Sequence, residues 1–275
     1  MKGAWAWPIT AMTVLVVAAS HVELAAQAPV DGGQVEDAIA RLHDGRPDLN
    51  GTWRSGVQYA LNARSIGASI CLGDCPELAE PAGPTPGRTP PERPSYRPEF
   101  QAEVARLDAE QVLEDPLLTC ANPGVPRIGA PDKIMQNERE LVFLYDDVNG
   151  SYWRIVPTDG RPHRQDIGPT FLGDAIGWWE GDTLVVETVN LNDKTWLTDD
   201  GSFHTTDLRV IERLTRHRDT ITYEVTAFDP TVLAEPWAKR PVEMTLSDRE
   251  LIESAPCIER DLDLMQDLSN HDNPR

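Results

Sequence analysis

The chain has 275 residues, of which 45 are Asp or Glu and 25 are Lys or Arg, so its formal net charge is −20 at pH 7. This charge argues against binding of nucleic acid through its phosphates, because such binding needs clustered basic side chains. It also argues against attraction to an anionic membrane surface. The length fits one large domain, and we expect a single domain over residues 29–275.

The first 28 residues have the pattern of an export signal. Lys2 supplies a positive charge, residues 9–19 form an apolar run, and Ala26–Ala28 has the small-x-small pattern that signal peptidase recognises. Cleavage after Ala26 and cleavage after Ala28 both fit. No later run approaches the roughly 18 apolar residues that a spanning helix needs. We therefore expect a periplasmic or secreted protein with no segment inserted in a membrane.

The next part of the chain mixes helical patterns with loops. Residues 34–43 place apolar side chains at helical spacing and predict a short helix before the domain. Residues 47–53 form a turn that leads into a first strand at Trp53. Residues 81–98 contain seven prolines, which predicts an extended loop inserted in the domain. Residues 100–113 predict a helix that lies outside the sheet or closes one end of it.

From about residue 139 onward, apolar side chains alternate with a period of two, which is typical of strands. We predict strands at 138–145, 152–158, 175–179, 183–189, 208–215, 220–228 and 242–246. Short turns connect most of them, so neighbouring strands run antiparallel. With the strand at Trp53 the total is about eight, enough for a closed barrel that holds one small ligand. The predicted fold class is all-β: an antiparallel meander, closed into a barrel, with short flanking helices.

Four cysteines in an exported chain predict disulfides, because the compartment is oxidising and the spacings do not form paired zinc knuckles. Cys71 and Cys75 are close enough for a local loop, which leaves Cys120 to join Cys257. The other two connectivities remain open, since sequence alone does not determine the pairing.

Ionisable side chains concentrate between residues 158 and 196, and this concentration indicates acid-base chemistry. We expect His163, backed by Asp166 or Asp159, to transfer the proton. His163 and His204 each begin an H-x-x-D segment in a predicted loop, where an Asp can orient a His as general base. The same groups could bind a divalent metal, or serve only as surface and capping residues. The candidate catalytic residues are His163, Asp166, Asp159, His204, Asp207 and Glu212.

Glu212 shares a strand face with apolar residues such as Val210 and Leu214. A carboxyl held among apolar groups has a raised pKa, which suits a proton donor or base near neutrality. The alternative is a structural ion pair between Glu212 and an inward arginine such as Arg154.

Side chains that can bind a substrate accompany these groups, since tryptophans can wall an apolar ligand. The candidates are Arg161, Trp178, Trp179, Lys194, Trp196 and Tyr223. Trp178 and Trp179 point to opposite faces of a strand, so at most one lines an interior. There is no nucleotide-binding or nucleophile-elbow motif. We expect no cofactor, and the expected partner is a small apolar or aromatic molecule.

Several motifs resemble those of known protein families. Gly51-Thr52-Trp53 resembles the G-x-W opening of lipocalin-like barrels. The segments Asp159–His163, Gly177–Leu184 and Asn192–Trp196, together with Asp229-Pro230, are similar to a family of uncharacterised secreted bacterial proteins. The resemblance implies a barrel fold and an exported location, and it supplies no established activity.

Two classes of function remain. The first is an enzyme of the lyase, hydratase, dehydratase or isomerase type that acts on a small, largely apolar molecule. The second is a non-catalytic periplasmic protein that binds a small ligand or a partner. A metal-dependent hydrolase or lyase is a further alternative. The concentration of ionisable side chains in one half of the chain favours the enzyme.

Overall fold

The structure is a computed structural model that describes residues 39–55, 93–147, 149–253 and 257. All of them belong to the unit of residues 37–275. Three predictions fall outside the described residues: the export signal, the Cys71–Cys75 disulfide and most of the proline-rich segment 81–98.

The described residues form nine strands and two short helices. The helices are α1 (Gln101–Ala109) and α2 (Gln111–Glu114), and 3-10 turns lie at Pro98–Phe100 and Pro116–Thr119. The strands are β1 (Gly51–Ser55), β2 (Lys133–Gln136), β3 (Glu140–Asp147), β4 (Gly150–Pro157), β5 (Asp174–Glu180), β6 (Thr183–Val189), β7 (Arg209–His217), β8 (Thr220–Phe228) and β9 (Trp237–Ser247).

The strands form one sheet that closes almost completely into a barrel. Its hydrogen-bonded order is β4-β3-β2-β1-β9-β8-β7-β6-β5, and all eight pairings are antiparallel. The first strand pairs with the last, with Trp53 opposite Leu246. Eight reversals of direction separate β4 from β5, so these two strands run the same way. The all-β prediction is confirmed, with nine strands in place of about eight.

The seam of the barrel lies between β4 and β5. Because both strands run in the same direction, residues 158–173 must return along the barrel to connect them. Gly177 on β5 lets β4 approach, since a Cβ there would lie 3.0 Å from Val156 Cγ1 and 3.1 Å from Thr158 Cγ2. The odd number of strands therefore explains why a long connection, the one that carries His163, occurs at this point.

Inward side chains alternate along each strand and form one apolar core. Trp53 lies in it fully buried, and its indole N–H donates to the Leu49 carbonyl at 2.9 Å. Other buried members are Ile134, Leu141, Phe143, Val156, Leu184, Val186, Val210, Leu214, Ile221, Val225 and Met244.

The helical prediction for residues 100–113 is confirmed by α1 and α2. Leu107 of α1 is buried, and Val104 packs against the core. One strand, β2, has no counterpart among the predicted strands.

The predicted helix at residues 34–43 is wrong for residues 39–43, the part of it that the structure describes. Arg41 there pairs with Pro47 in an antiparallel bridge around a turn at Gly45, whose φ is +88°. Proline and a left-handed glycine favour this turn over a helix.

Cys120 and Cys257 form a disulfide, which confirms the predicted long bridge. The bond is compatible with export, because disulfides persist in oxidising compartments. None of the helices in the described part of the chain is long and apolar enough to cross a membrane.

Candidate functional site

His163 lies in the long connection between β4 and β5, and each of its ring nitrogens faces a carboxylate. Nδ1 is 2.9 Å from Oδ2 of Asp174, and Nε2 is 3.4 Å from Oε2 of Glu187. The His163 side chain is 17% exposed. The imidazole is thus held in one orientation and still reaches solvent.

Asp174, the first residue of β5, is fixed by two further donors. The backbone N–H of Arg164 donates to Oδ2 at 2.9 Å, and the Arg164 Nε donates to Oδ1 at 2.8 Å. Burial alone would raise the pKa of Asp174, but the bonds from Arg164 and His163 outweigh it and lower this pKa. Asp174 is therefore ionised near neutral pH and accepts a hydrogen bond from His163 Nδ1, while Nε2 faces Glu187.

Glu187 on β6 is the second carboxylate. The Arg209 guanidinium binds its Oε1, and Arg209 also stacks 5.0 Å from the ring centroid of Phe228. Burial acts to raise the pKa of Glu187, and the contacts with Arg209 and His163 lower it overall. The contact between Glu187 and Nε2 is long for a hydrogen bond, so a substrate atom could replace it.

These four residues, His163, Asp174, Glu187 and Arg209, are called the His163 cluster below. The cluster lies on the outer face of the sheet, because Glu187 alternates along β6 with inward residues.

Apolar side chains flank the cluster on the same outer face. Glu187 pairs across the strands with Ile176 on one side and Ile211 on the other. Both isoleucines are half-buried. A molecule bound at His163 would therefore meet an apolar surface beside two carboxylates, outside the barrel interior.

The predicted aspartate partners of His163 make other contacts. Asp159 binds Arg161 at 2.6 and 2.9 Å and Arg139 at 3.2 Å, and these contacts lower its pKa. The predicted substrate contact Arg161 is thus held by Asp159, on the exposed surface. Asp166 is also exposed, and its side chain has no hydrogen bond to another described residue.

His204 is buried in the connection between β6 and β7, and its ring forms no hydrogen bond with the His163 cluster. Its Nε2 is 2.8 Å from Thr195 Oγ1, and its Nδ1 is 3.1 Å from the Thr205 carbonyl. A carbonyl only accepts, so Nδ1 carries the proton and Nε2 accepts from Thr195. Burial lowers the pKa of His204.

The predicted partner of His204 is bound elsewhere. Asp207 accepts a hydrogen bond from Thr231 Oγ1 at 2.6 Å. The two H-x-x-D segments therefore do not form His–Asp pairs at their own spacing.

Glu212 lies in the barrel interior and forms an ion pair with Arg154. This is the structural role that the sequence offered as the alternative to proton transfer. Both of its oxygens are 2.8 Å from Arg154 Nη2, and the Tyr223 hydroxyl donates to Oε1 at 2.7 Å. Arg154 also donates to the Tyr145 hydroxyl at 3.0 Å and to Thr188 Oγ1 at 3.2 Å. The Tyr223 hydroxyl also lies 3.2 Å from the Gly129 carbonyl oxygen, so the network reaches the backbone next to the core.

Burial and charge raise the pKa of three members of this network, Tyr145, Tyr223 and Arg154. Burial raises the pKa of the Tyr145 and Tyr223 phenols, so both stay neutral. Burial acts to lower the pKa of Arg154, but the Glu212 carboxylate outweighs it and raises this pKa. Glu212 is 0% exposed, and both of its oxygens are bonded. Glu212 therefore does not reach solvent for the predicted proton transfer. Tyr223 is buried beside it and does not reach solvent for the predicted contact with a substrate.

The two adjacent tryptophans of β5 point to opposite faces of the sheet. Trp178 points outward, is 37% exposed and donates to Glu180 Oε1 at 3.0 Å. Trp179 points inward and packs against the core, where its Nε1 is buried without a hydrogen-bond partner among described residues.

The remaining predicted binding residues lie in the connection between β6 and β7. Trp196 is buried beneath Arg127, whose guanidinium lies 6.0 Å from the ring centroid. Lys194 is exposed. The predicted binding residues thus lie on both faces of the sheet and in two of its connections.

Sequence reasoning missed Asp174, Glu187 and Arg209. Their signal is weak but present: Glu187 and Arg209 are opposite charges at outward positions of strands with apolar inward faces. Their alignment depends on the pairing of β6 with β7 across the long connection 190–208, which local patterns do not specify.

In the described part of the chain, no group of three or more His, Cys, Asp or Glu side chains could hold a metal ion. The chain matches no protein-family model, no curated protein and no solved structure.

Proposed function

We propose that the protein is an exported enzyme in which His163, oriented by Asp174, exchanges a proton with a small, largely apolar molecule. The observation that carries this proposal is the 2.9 Å contact between His163 Nδ1 and a carboxylate that is itself fixed by Arg164. A carboxylate that orients a histidine is one arrangement by which a histidine serves as general base.

The second carboxylate, Glu187, faces the ring nitrogen Nε2 of His163. Nε2 takes a proton from the substrate, and the imidazolium that forms lies between two carboxylates that stabilise its charge. The proton then returns to another substrate atom, which gives isomerisation, or it leaves with a hydroxyl group as water, which gives dehydration. Neither route needs a cofactor. The half-buried Ile176 and Ile211 beside Glu187 favour an apolar substrate.

Export is part of the proposal. It is supported by the amino-terminal pattern that ends near Ala28 and by the Cys120–Cys257 disulfide.

The reaction can be tested before the substrate is known, because proton abstraction exchanges substrate hydrogen with solvent. The protein is incubated in D₂O with a panel of small apolar aldehydes, ketones, enones and β-hydroxy carbonyl compounds, and deuterium uptake is followed by mass spectrometry. We expect exchange in at least one compound class, at a rate that falls by about 10²-fold or more in His163→Ala. No exchange across the panel, or equal exchange in the variant, would contradict the proposal.

A matched control is His217→Ala. His217 is an exposed histidine at the end of β7, at the opposite end of the strand from Arg209. Its removal should leave the exchange rate unchanged.

A further inference from the structure

An apolar patch lies on the outer face of β2, β3 and β4. Three of its side chains are largely exposed, Met135 by 52%, Trp153 by 62% and Ile155 by 44%. Met135 lies opposite Val142, which lies opposite Ile155 on the next strand. Leu144 lies opposite Trp153 in the adjacent outward row. Paired residues share one face of a sheet, so these five side chains are neighbours, and they are called the β2–β4 patch below.

A patch of this kind indicates contact with another apolar surface, whereas apolar side chains exposed singly are ordinary. A membrane fits it poorly, because the net charge of −20 opposes approach to anionic lipid. The patch is also separate from the His163 cluster, since no residue belongs to both.

The chain that follows β9 runs along this outer face. Its Arg249 binds Asp146 on β3. Asp146 is the next outward residue after Leu144 of the patch, because inward and outward side chains alternate along β3. The chain therefore lies beside the patch before it reaches Cys257.

Cys257 is fixed close to the turn between β3 and β4. Its disulfide partner is Cys120, and the residue after that partner, Ala121, accepts a hydrogen bond at 2.9 Å from Asn149 in this turn. Trp153 lies four residues beyond Asn149, about 13 Å at the usual rise of a strand. The chain beyond Cys257 thus starts near one end of the patch.

Residues 258–275, called the C-terminal segment below, carry an apolar stripe. Ile258, Leu262 and Met265 follow one another at the i, i+4, i+7 spacing that places side chains on one face of a helix. The first and last of these would be about 11 Å apart along a helix. Three neighbouring strands span about 10 Å, so the stripe and the patch agree in size.

The charges of the two surfaces also match. The C-terminal segment has five acidic and two basic side chains, a net charge of −3. Lys133 lies beside the patch, as the outward residue of β2 opposite Leu144. On the neighbouring strand β1, Thr52 pairs with Lys133, and Arg54 is exposed two residues further on the same face. Complementary charges of this kind orient a bound segment.

We propose that the C-terminal segment binds the β2–β4 patch as an amphipathic helix, with its apolar stripe against Trp153 and Met135. The disulfide at Cys257 holds the segment beside its binding surface, which raises its effective concentration there. This binding does not depend on the proposed catalysis, because no residue of the His163 cluster takes part.

Hydroxyl-radical footprinting of the full-length protein tests the proposal, because the label reports the solvent exposure of individual tryptophans and methionines. Without a cover, Trp153 should be labelled faster than Trp178 on β5, since the two are 62% and 37% exposed. We expect the reverse order in the wild type. In Leu262→Asp the labelling of Trp153 and Met135 should rise by about threefold or more, because an aspartate in place of a buried leucine weakens the contact by about tenfold.

The matched control is Leu264→Asp, which makes the same substitution about 200° away around a helix and should leave the labelling of Trp153 unchanged. Thermal unfolding shows that each variant is folded, and each protein is labelled at two concentrations. The proposal is overturned if Trp153 is labelled faster than Trp178 in the wild type, or if the two variants are labelled equally at Trp153. It is also overturned if the protection of Trp153 persists in Leu262→Asp and grows with concentration, since a second copy of the chain then covers the patch.

Discussion

Arg154 on β4 and Glu212 on β7 form a buried ion pair across the barrel interior, with both carboxylate oxygens 2.8 Å from the same guanidinium nitrogen. Their side chains are 3% and 0% exposed. The pair joins strands on the two sides of the seam between β4 and β5. It therefore links β4 directly to β7, whereas the hydrogen-bonded strand pairs connect these two strands only through β3, β2, β1, β9 and β8.

Breaking this pair should be costly. Arg154→Leu or Glu212→Leu leaves one buried charge without its partner, and each should lower the free energy of unfolding by about 3–5 kcal/mol. The double variant should lose less than the sum of the two, because it leaves no unpaired charge. Urea denaturation of the four proteins measures this coupling. The exposed pair Arg213–Glu180 is the control, and Arg213→Leu should cost at most about 1 kcal/mol. Additive effects at Arg154 and Glu212 would contradict the account.

A side chain at Gly177 should force the seam apart. The nearest atoms to a Cβ there are Val156 Cγ1 at 3.0 Å and Thr158 Cγ2 at 3.1 Å. Gly177→Val should therefore lower the free energy of unfolding by about 1–3 kcal/mol through overpacking. Gly168 is the comparison site, because a Cβ added there would meet no atom within 4 Å and its φ is not left-handed. Gly168→Ala should be nearly neutral in the same denaturation experiment, and equal losses at both positions would argue against close contact at the seam.

The long disulfide should contribute strongly to stability. Cys120 and Cys257 are separated by 137 residues, and the chain-entropy model gives about 5 kcal/mol for a loop of this length, within a usual range of about 2–5. The double variant Cys120→Ser, Cys257→Ser should lose a comparable amount in urea. Peptide mapping without reduction provides the direct check, and free thiol at Cys120 in protein produced in the periplasm would rule the bridge out.

His204 should make stability fall in mild acid. Burial lowers its pKa in the folded state, whereas in the unfolded chain the pKa is about 6.5. Below that pH the unfolded state binds a proton that the folded state does not, so stability falls as the pH drops until the folded pKa is reached. The slope for one proton is at most about 1.4 kcal/mol per pH unit. Denaturation at pH 7.5 and pH 5 should show a smaller loss in His204→Gln than in the wild type, while His217→Gln should match the wild type.

Most of the fold could be predicted from local patterns in the sequence. Alternation along Thr183–Val189 and Thr220–Phe228 predicts both strands with their observed ends, because each has one face in the core. Strand β2 has only four residues, Lys133–Gln136, and its pairing with β1 and β3 rather than its own alternation makes it a strand. The direction of β4 relative to β5 also follows only once every strand has been counted.

The candidate site was harder to predict, because its contacts join residues that are distant along the chain. His163 stood out because it lies among charged residues, but its partners are set by tertiary contacts rather than by spacing along the chain. Asp166 is three residues from His163 and Asp174 is eleven, yet Asp174 makes the contact because it begins the strand on which the connection ends. The pairing of Glu212 with Arg154 could be anticipated, since both side chains alternate with outward residues on their strands.

The most direct test of the central claim compares turnover and stability in His163→Ala, using the compound identified by deuterium exchange. We predict that kcat/KM falls by about 10²- to 10⁴-fold, as expected for loss of a general acid-base group, while the variant stays folded at the assay temperature. Asp174→Asn should lower turnover in the same direction, because it removes the carboxylate that orients Nδ1. Full turnover in His163→Ala, or a loss of activity that only follows a loss of thermal stability, would contradict the catalytic assignment of His163.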